Sequence, residues 1–209
     1  MTPASIVESA KRRYNSENDS FYSDDELFGL IYEAELEIQQ ETKIAQSIDT
    51  SITTVDGTRT YAMPTNFIDL LRVEWNGEPL DLIDFDIDDQ ITGERPDTEA
   101  KGTPLAYFIW NESIFLRPVP DVAQTLKLYG HKQPTDITSG TDDLLIPSMF
   151  HYVLIDYVTS ELAFKDNNSS VGLYYASKFQ KGVNKVLRWV ARRKRGGGFA
   201  VVKSEELNG

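Results

Sequence analysis

The sequence predicts an α+β protein, a helical core interrupted by a β-hairpin-rich insertion and followed by a flexible C-terminal arm. Three observations predict it. Apolar residues recur at three- and four-residue spacing near both ends of the chain. Turn dipeptides flanked by strand-like runs fill the middle. Gly196-Gly197-Gly198 closes the last helical pattern. The expected division is residues 1–47 and 147–195 as the helical core, 48–146 as the insertion and 196–209 as the arm.

A short helix is expected over Pro3 to Tyr14. A longer one follows from Asp24 to Gln46, where Leu27, Ile31, Ala34, Ile38 and Ala45 define an apolar face. Ser23 and Glu26 form a capping box, and Tyr22 is placed to staple onto Leu27. Asp56-Gly57 and Asn76-Gly77 each favour the positive φ of a two-residue hairpin. The first would join Ile52–Val55 to Thr58–Ala62, the second Leu71–Trp75 to Glu78–Leu82. Asp81 to Gly93 could form a short acidic helix, and residues 94–104 read as a loop. Strands are expected at Leu105–Trp110, Ile114–Arg117 and Thr125–Lys132. Asn111-Glu112-Ser113 turns between the first two, and Pro118 and Pro120 interrupt the path to the third. After Pro147, Phe150, Leu154, Tyr157, Val158 and Leu162 mark a helix reaching Lys165. Asp166 to Ser169 make a turn, and a last helix runs from Ser170 to Arg195.

Composition narrows the function classes. No apolar run approaches the roughly 18 residues of a membrane span, and Met1 to Tyr14 lack the apolar core of a signal peptide. The reading is a soluble protein made in a cytoplasm, with no membrane partner. The absence of cysteine rules out disulfides, thiolate zinc sites and a cysteine nucleophile. Net charge is −12, unevenly spread. Residues 178–209 hold nine Lys/Arg against two acids, and residues 1–177 hold 12 against 31.

Catalytic chemistry finds little support. His131 and His151 lie in different elements without metal-ligand spacing; His131 is expected to close a strand, and His151 to face solvent or make one hydrogen bond. No phosphate loop, dinucleotide fingerprint or serine elbow is present. Asp84, Asp86 and Asp88 match the start of a calcium loop, but Asp89 stands where its turn glycine belongs and Arg95 at its twelfth position. A solvated acidic face accounts for the run better. The chain is therefore expected to be no enzyme, with no catalytic residue, cofactor or metal. A metal-dependent enzyme using Asp84–Asp89 is the weakest of three readings.

The last helix is the informative one. Lys178, Lys181, Lys185, Arg188, Arg192 and Arg195 step by three and four into one basic stripe. Ala176, Phe179, Val183, Val186 and Val190 make a second. The offset of two residues is about 200° at the helical period, so the stripes face opposite ways. Trp189, offset from both, offers a flat anchor. With Arg193 and Phe199 these bases form the candidate partner-binding set. An ordinary amphipathic helix with a solvated basic face is the plainer account, but six bases with no acid between Lys178 and Arg195 favour a binding surface. It could meet nucleic-acid phosphates, an anionic membrane or an acidic protein. The acidic remainder opposes steering onto DNA, and the apolar stripe is needed for the core, so a protein partner is the economical choice.

Several segments carry a family resemblance. These are Tyr61-Ala62-Met63-Pro64 with Phe67, Val73 to Gly77 with Leu80, Gly102-Thr103-Pro104 with Tyr107, and Ile114 to Pro120. Leu126 to Tyr129, Pro134, Asp142-Asp143, Ile146-Pro147 and the helix from Phe150 complete them. Over roughly residues 55–165 the chain resembles the head-to-tail adaptor (connector, or head-completion) proteins of tailed bacteriophages. The resemblance implies a helical core with a β-rich insertion and a homo-oligomeric ring, usually a dodecamer, docked below the portal. It implies a location at the virion neck after synthesis in the host bacterial cytoplasm. Such a ring extends the DNA ejection channel, passes genomic DNA without reading its sequence and offers a docking surface to a tail or nozzle protein. The alternative is a nucleic-acid-binding protein using the basic stripe. On the adaptor reading, Lys178, Lys181, Lys185, Arg188, Trp189, Arg192, Arg193, Arg195 and Phe199 are expected to make portal or ring contacts.

Overall fold

The computed structural model describes residues 1–16, 22–86 and 100–194. Four α-helices lie among them: α1 (Pro3–Tyr14), α2 (Asp24–Thr42), α3 (His151–Lys165) and α4 (Ser169–Lys194). The chain divides into two units, Met1–Ile44 with Asp136–Gly209, and Ala45–Thr135. The fold is the expected α+β arrangement, helices before and after a strand-rich middle.

In the helical unit α3 packs against α1, α2 and α4. Its Val153, Leu154, Val158 and Leu162 are fully buried. Ile6 and Ala10 of α1, Leu27 and Ile31 of α2, and Phe179 and Val186 of α4 close over it in one apolar cluster. Helix starts follow local chemistry. Thr2, Ser23 and Asn168 each place a side-chain oxygen on a free amide of the first turn of α1, α2 and α4. Only half of the expected capping box forms, because the Glu26 carboxylate turns to Lys165 instead. Tyr22 is buried in the same cluster as Leu27, and its hydroxyl donates to Asp166 at 2.6 Å. A buried carboxylate, Glu35, accepts the Ile146 amide at 2.9 Å.

Helix α2 is shorter than the spacing suggested. Lys43 adopts a left-handed φ of 51° and its amide returns to the Gln39 carbonyl. Ala45 therefore matches the helical period by coincidence, and Gln46–Asp49 is strand β1.

The β unit holds nine further strands among the described residues: β2 (Thr60–Ala62), β3 (Phe67–Trp75), β4 (Glu78–Pro79), β5 (Asp81–Leu82), β6 (Lys101–Gly102), β7 (Ala106–Trp110), β8 (Ser113–Arg117), β9 (Val119–Pro120) and β10 (Leu126–Lys132). They form sheets ordered β1-β10-β3-β4, β2-β8-β7-β5 and β6-β9. Phe67, Val73, Trp75, Leu126 and Leu128 from the first and Tyr107, Ile114 and Leu116 from the second fill one core.

Asn76-Gly77 makes the expected hairpin, with φ of 49° and 84° and Trp75 paired to Glu78. Asn111 and Glu112 likewise turn β7 into β8, with φ of 48° and 55°. Asp56-Gly57 does not. It turns, with the Thr58 amide on the Val55 carbonyl, but its flanks part. Thr53 bridges Thr125, while β2 pairs with β8. The Tyr61 hydroxyl accepts the Val55 amide and donates to the Thr58 carbonyl, taking groups that a hairpin ladder would use. Asp81-Leu82 is strand rather than helix, paired in parallel with β7, and of the expected acidic helix the described residues show helical backbone at Phe85-Asp86. Lys101-Gly102 pairs with β9 where a loop was expected. The rest of the acidic segment beyond Asp86 lies outside the described residues.

Candidate partner-binding helix

Helix α4 buries four of the five residues of the expected apolar stripe: Phe179, Val183, Val186 and Val190 enter the core, while Ala176 is half-buried. The fit is close. A Cβ on Gly182 would stand 2.8 Å and 2.9 Å from the two methyls of Val153. With that face fixed, the bases distribute around the remainder of the helix.

They are not equivalent. Lys181, Arg188 and Arg192 are exposed and make no ion pair among the described residues. Lys178 sits at the edge of the stripe nearest the apolar face and is committed within the fold. Its ammonium is 3.3 Å from the Asp156 carboxylate and 5.0 Å from the Tyr175 ring centroid. Asp156 is buried on α3 and also accepts Arg13 of α1 at 2.5 Å. One carboxylate thus ties three helices, with two cations around it. Lys185 is exposed and lies 5.7 Å from the Tyr152 ring centroid.

Trp189 is half-buried, its ring edge-on to Phe150 at 5.4 Å, and Arg193 lies over it at 4.7 Å. Its flat surface is therefore shared between the core and a cation. Arg195 and Phe199 lie outside the described residues, as does the glycine break. Lys181–Lys185 and Arg188–Arg192 are like-charge pairs one turn apart. Each opposes the helix by a few tenths of a kcal/mol (about 0.2–0.5) unless an acid approaches.

A second charged surface escaped sequence reasoning. Glu33, Glu37 and Glu41 step by four along α2, and Glu161 of α3 joins them. The Tyr157 hydroxyl donates to Glu33 at 3.4 Å and the Gln180 amide to Glu37 at 3.1 Å. None of these four acids makes an ion pair among the described residues. Burial, then the carboxylates of Glu161, Glu33 and Glu37, push the Tyr157 phenol up to about 12. Burial and neighbouring carboxylates also raise Glu161, with Glu33 and Glu37 contributing, and Glu37, with Glu41 contributing. The i, i+4 spacing on α2 was visible in the sequence; its meeting with Glu161 and Tyr157 was not.

The two histidines are structural in placement. His131 is buried in β10 with Nδ1 against Asp69, and His151 is buried at the start of α3 with Nε2 2.8 Å from the Ile146 carbonyl. His151 makes the one hydrogen bond foreseen but does not face solvent. Burial pushes its imidazole pKa down. Among the described residues no group of three His, Asp or Glu side chains is arranged to hold a metal ion, and no helix is long and apolar enough to cross a membrane.

No curated protein matches the sequence. The sequence model of a family described as "SU10 adaptor protein" matches residues 1–202, nearly the whole chain. The chain therefore belongs to the SU10 adaptor protein family of phage head-to-tail adaptors, and is a structural protein of the bacteriophage virion.

Proposed function

We propose that this chain forms the head-to-tail adaptor ring: it docks on the portal, extends the DNA channel and presents the tail attachment surface. Family membership supplies the class of partners, portal and tail proteins in general. The observation that carries the reading further is the outward face of α4, where Lys181, Arg188 and Arg192 stand exposed and without an acidic partner among the described residues. That face is the assembly surface. Lys185 and Arg193 border it, while Lys178 holds the fold together. Genomic DNA passes the assembled ring without base-specific contact, and the acidic excess of the chain suits a conduit that duplex slides through.

Native mass spectrometry and negative-stain imaging of the protein, alone and mixed with a portal, test this reading. A ring or a portal complex is expected, weakened when Lys181, Arg188 and Arg192 are replaced by alanine. Failure to form either under any condition sinks it. The same unpaired bases would suit phosphates, so binding to duplex DNA is measured alongside. Tight binding that falls steeply with salt would favour a nucleic-acid-binding protein instead.

A further inference from the structure

We infer that the basic face of α4 docks on the carboxylate ridge of α2 and α3 in a second copy of this chain, head to tail. The inference rests on the ring reading above and names the surfaces that meet.

Both surfaces belong to the helical unit, so every copy carries the two. The donors are Lys181, Arg188 and Arg192; the acceptors are Glu33, Glu37, Glu41 and Glu161. Within one copy they form no ion pair among the described residues. Each surface is also repulsive within itself. The bases repeat at i, i+4 on α4, and the acids do so on α2, a spacing that costs helix stability when charges match. Burial first, and then the neighbouring carboxylates, raise the Tyr157 phenol and the Glu37 and Glu161 carboxyls, as fits acids with no cation beside them.

Two opposite charge surfaces on one unit that do not pair within the chain are complementary between chains. Because the surfaces differ, the contact is heterologous and repeats from copy to copy, and it closes into a ring when the rotation permits. Exposed Leu173 and Leu187 lie seven residues either side of Gln180, on the line of α4 that reaches Glu37. They border the ridge with apolar surface that a charged rim alone would lack.

The test uses two charge-reversed chains. One carries Lys181→Glu, Arg188→Glu and Arg192→Glu; the other carries Glu33→Lys, Glu37→Lys and Glu161→Lys. Each alone should place like charges at every junction and weaken self-association at least about tenfold. Mixed in equal amounts they should assemble again, because alternating copies pair reversed with reversed and native with native. Misfolded chains could not rescue one another, so recovery by the mixture is the decisive result. The absence of cysteine allows a second measurement, in which Glu37→Cys and Arg188→Cys introduced in one chain should form disulfides between copies on oxidation.

Reversed chains that each assemble like the native protein would overturn the contact and leave the ring reading standing. Folded reversed chains that stay apart when mixed would also overturn it. A native chain that remains monomeric at every concentration removes both this contact and the self-formed ring, while portal binding would still support docking.

Discussion

Lys178 and Asp156 meet at 3.3 Å between α4 and α3, and Arg13 of α1 completes the group at 2.5 Å. The pair separates one base of the α4 stripe from its neighbours. Asp156→Ala should cost about 1–3 kcal/mol in urea unfolding. This is below the 3–5 kcal/mol of a fully buried pair, because Arg13 and Lys178 remain 34% and 39% exposed and rehydrate. Lys178→Ala should cost about 1 kcal/mol, since Arg13 still neutralises Asp156. Lys181→Ala should change stability by less than about 0.5 kcal/mol and act on assembly instead.

Replacing Gly182 by alanine tests the α3–α4 contact. A mid-helix glycine normally gains about 1 kcal/mol on conversion to alanine. Here the new methyl would press into both methyls of Val153, a stiff and fully buried side chain. Gly182→Ala should therefore destabilise by about 1–3 kcal/mol, read from the denaturant midpoint.

Gly130 plays the corresponding part in the β unit. The ladder shifts register between Tyr129 and Gly130, leaving Leu71 without a partner across the strand. A Cβ at Gly130 would lie 2.5 Å from the Asp69 carbonyl and 2.6 Å from the Phe67 ring. Gly130→Ala should lower stability by about 1–3 kcal/mol. Tryptophan fluorescence of Trp75, in the same core, should report the loss at lower denaturant.

The carboxylate ridge predicts a pH dependence of definite sign. Glu37 and Glu161 hold their protons to higher pH in the folded state than in the unfolded one, where glutamate titrates near about 4.3. Their contribution is present below that value and is lost as pH rises through the raised folded values. Glu37→Gln and Glu161→Gln should flatten this decline and raise the melting temperature at pH 7. For Glu37, which also loses two like-charge i, i+4 neighbours, the gain should be about 0.5–1 kcal/mol. If the ridge is an assembly surface, the same variants should associate less tightly.

Sequence periodicity located these surfaces unequally. The apolar stripe of α4 was legible because one phenylalanine and three valines at helical spacing admit one buried face. The commitment of Lys178 was not, since Asp156 and Arg13 approach it from helices distant in sequence. Asn76-Gly77 and Asp56-Gly57 show the same division. Both turn as dipeptides of their kind do, but only the first joins paired strands. Turn geometry is local, whereas pairing depends on whether a competing partner such as Gln124 or Phe115 takes the flanking backbone.

The register of β1 against β10 has a consequence for how the chain closes on itself. Gln46 lies opposite His131, and the Lys132 amide reaches the Ala45 carbonyl at 3.0 Å, so the β unit begins and ends at one place. Once that ladder zips, the helices on either side are tethered as if by a tight loop, and the long excursion between them adds little entropic penalty to their docking. Replacing the excursion with a few residues that bridge Ile44 and Asp136 should leave a helical unit able to fold by itself, readable by far-UV circular dichroism.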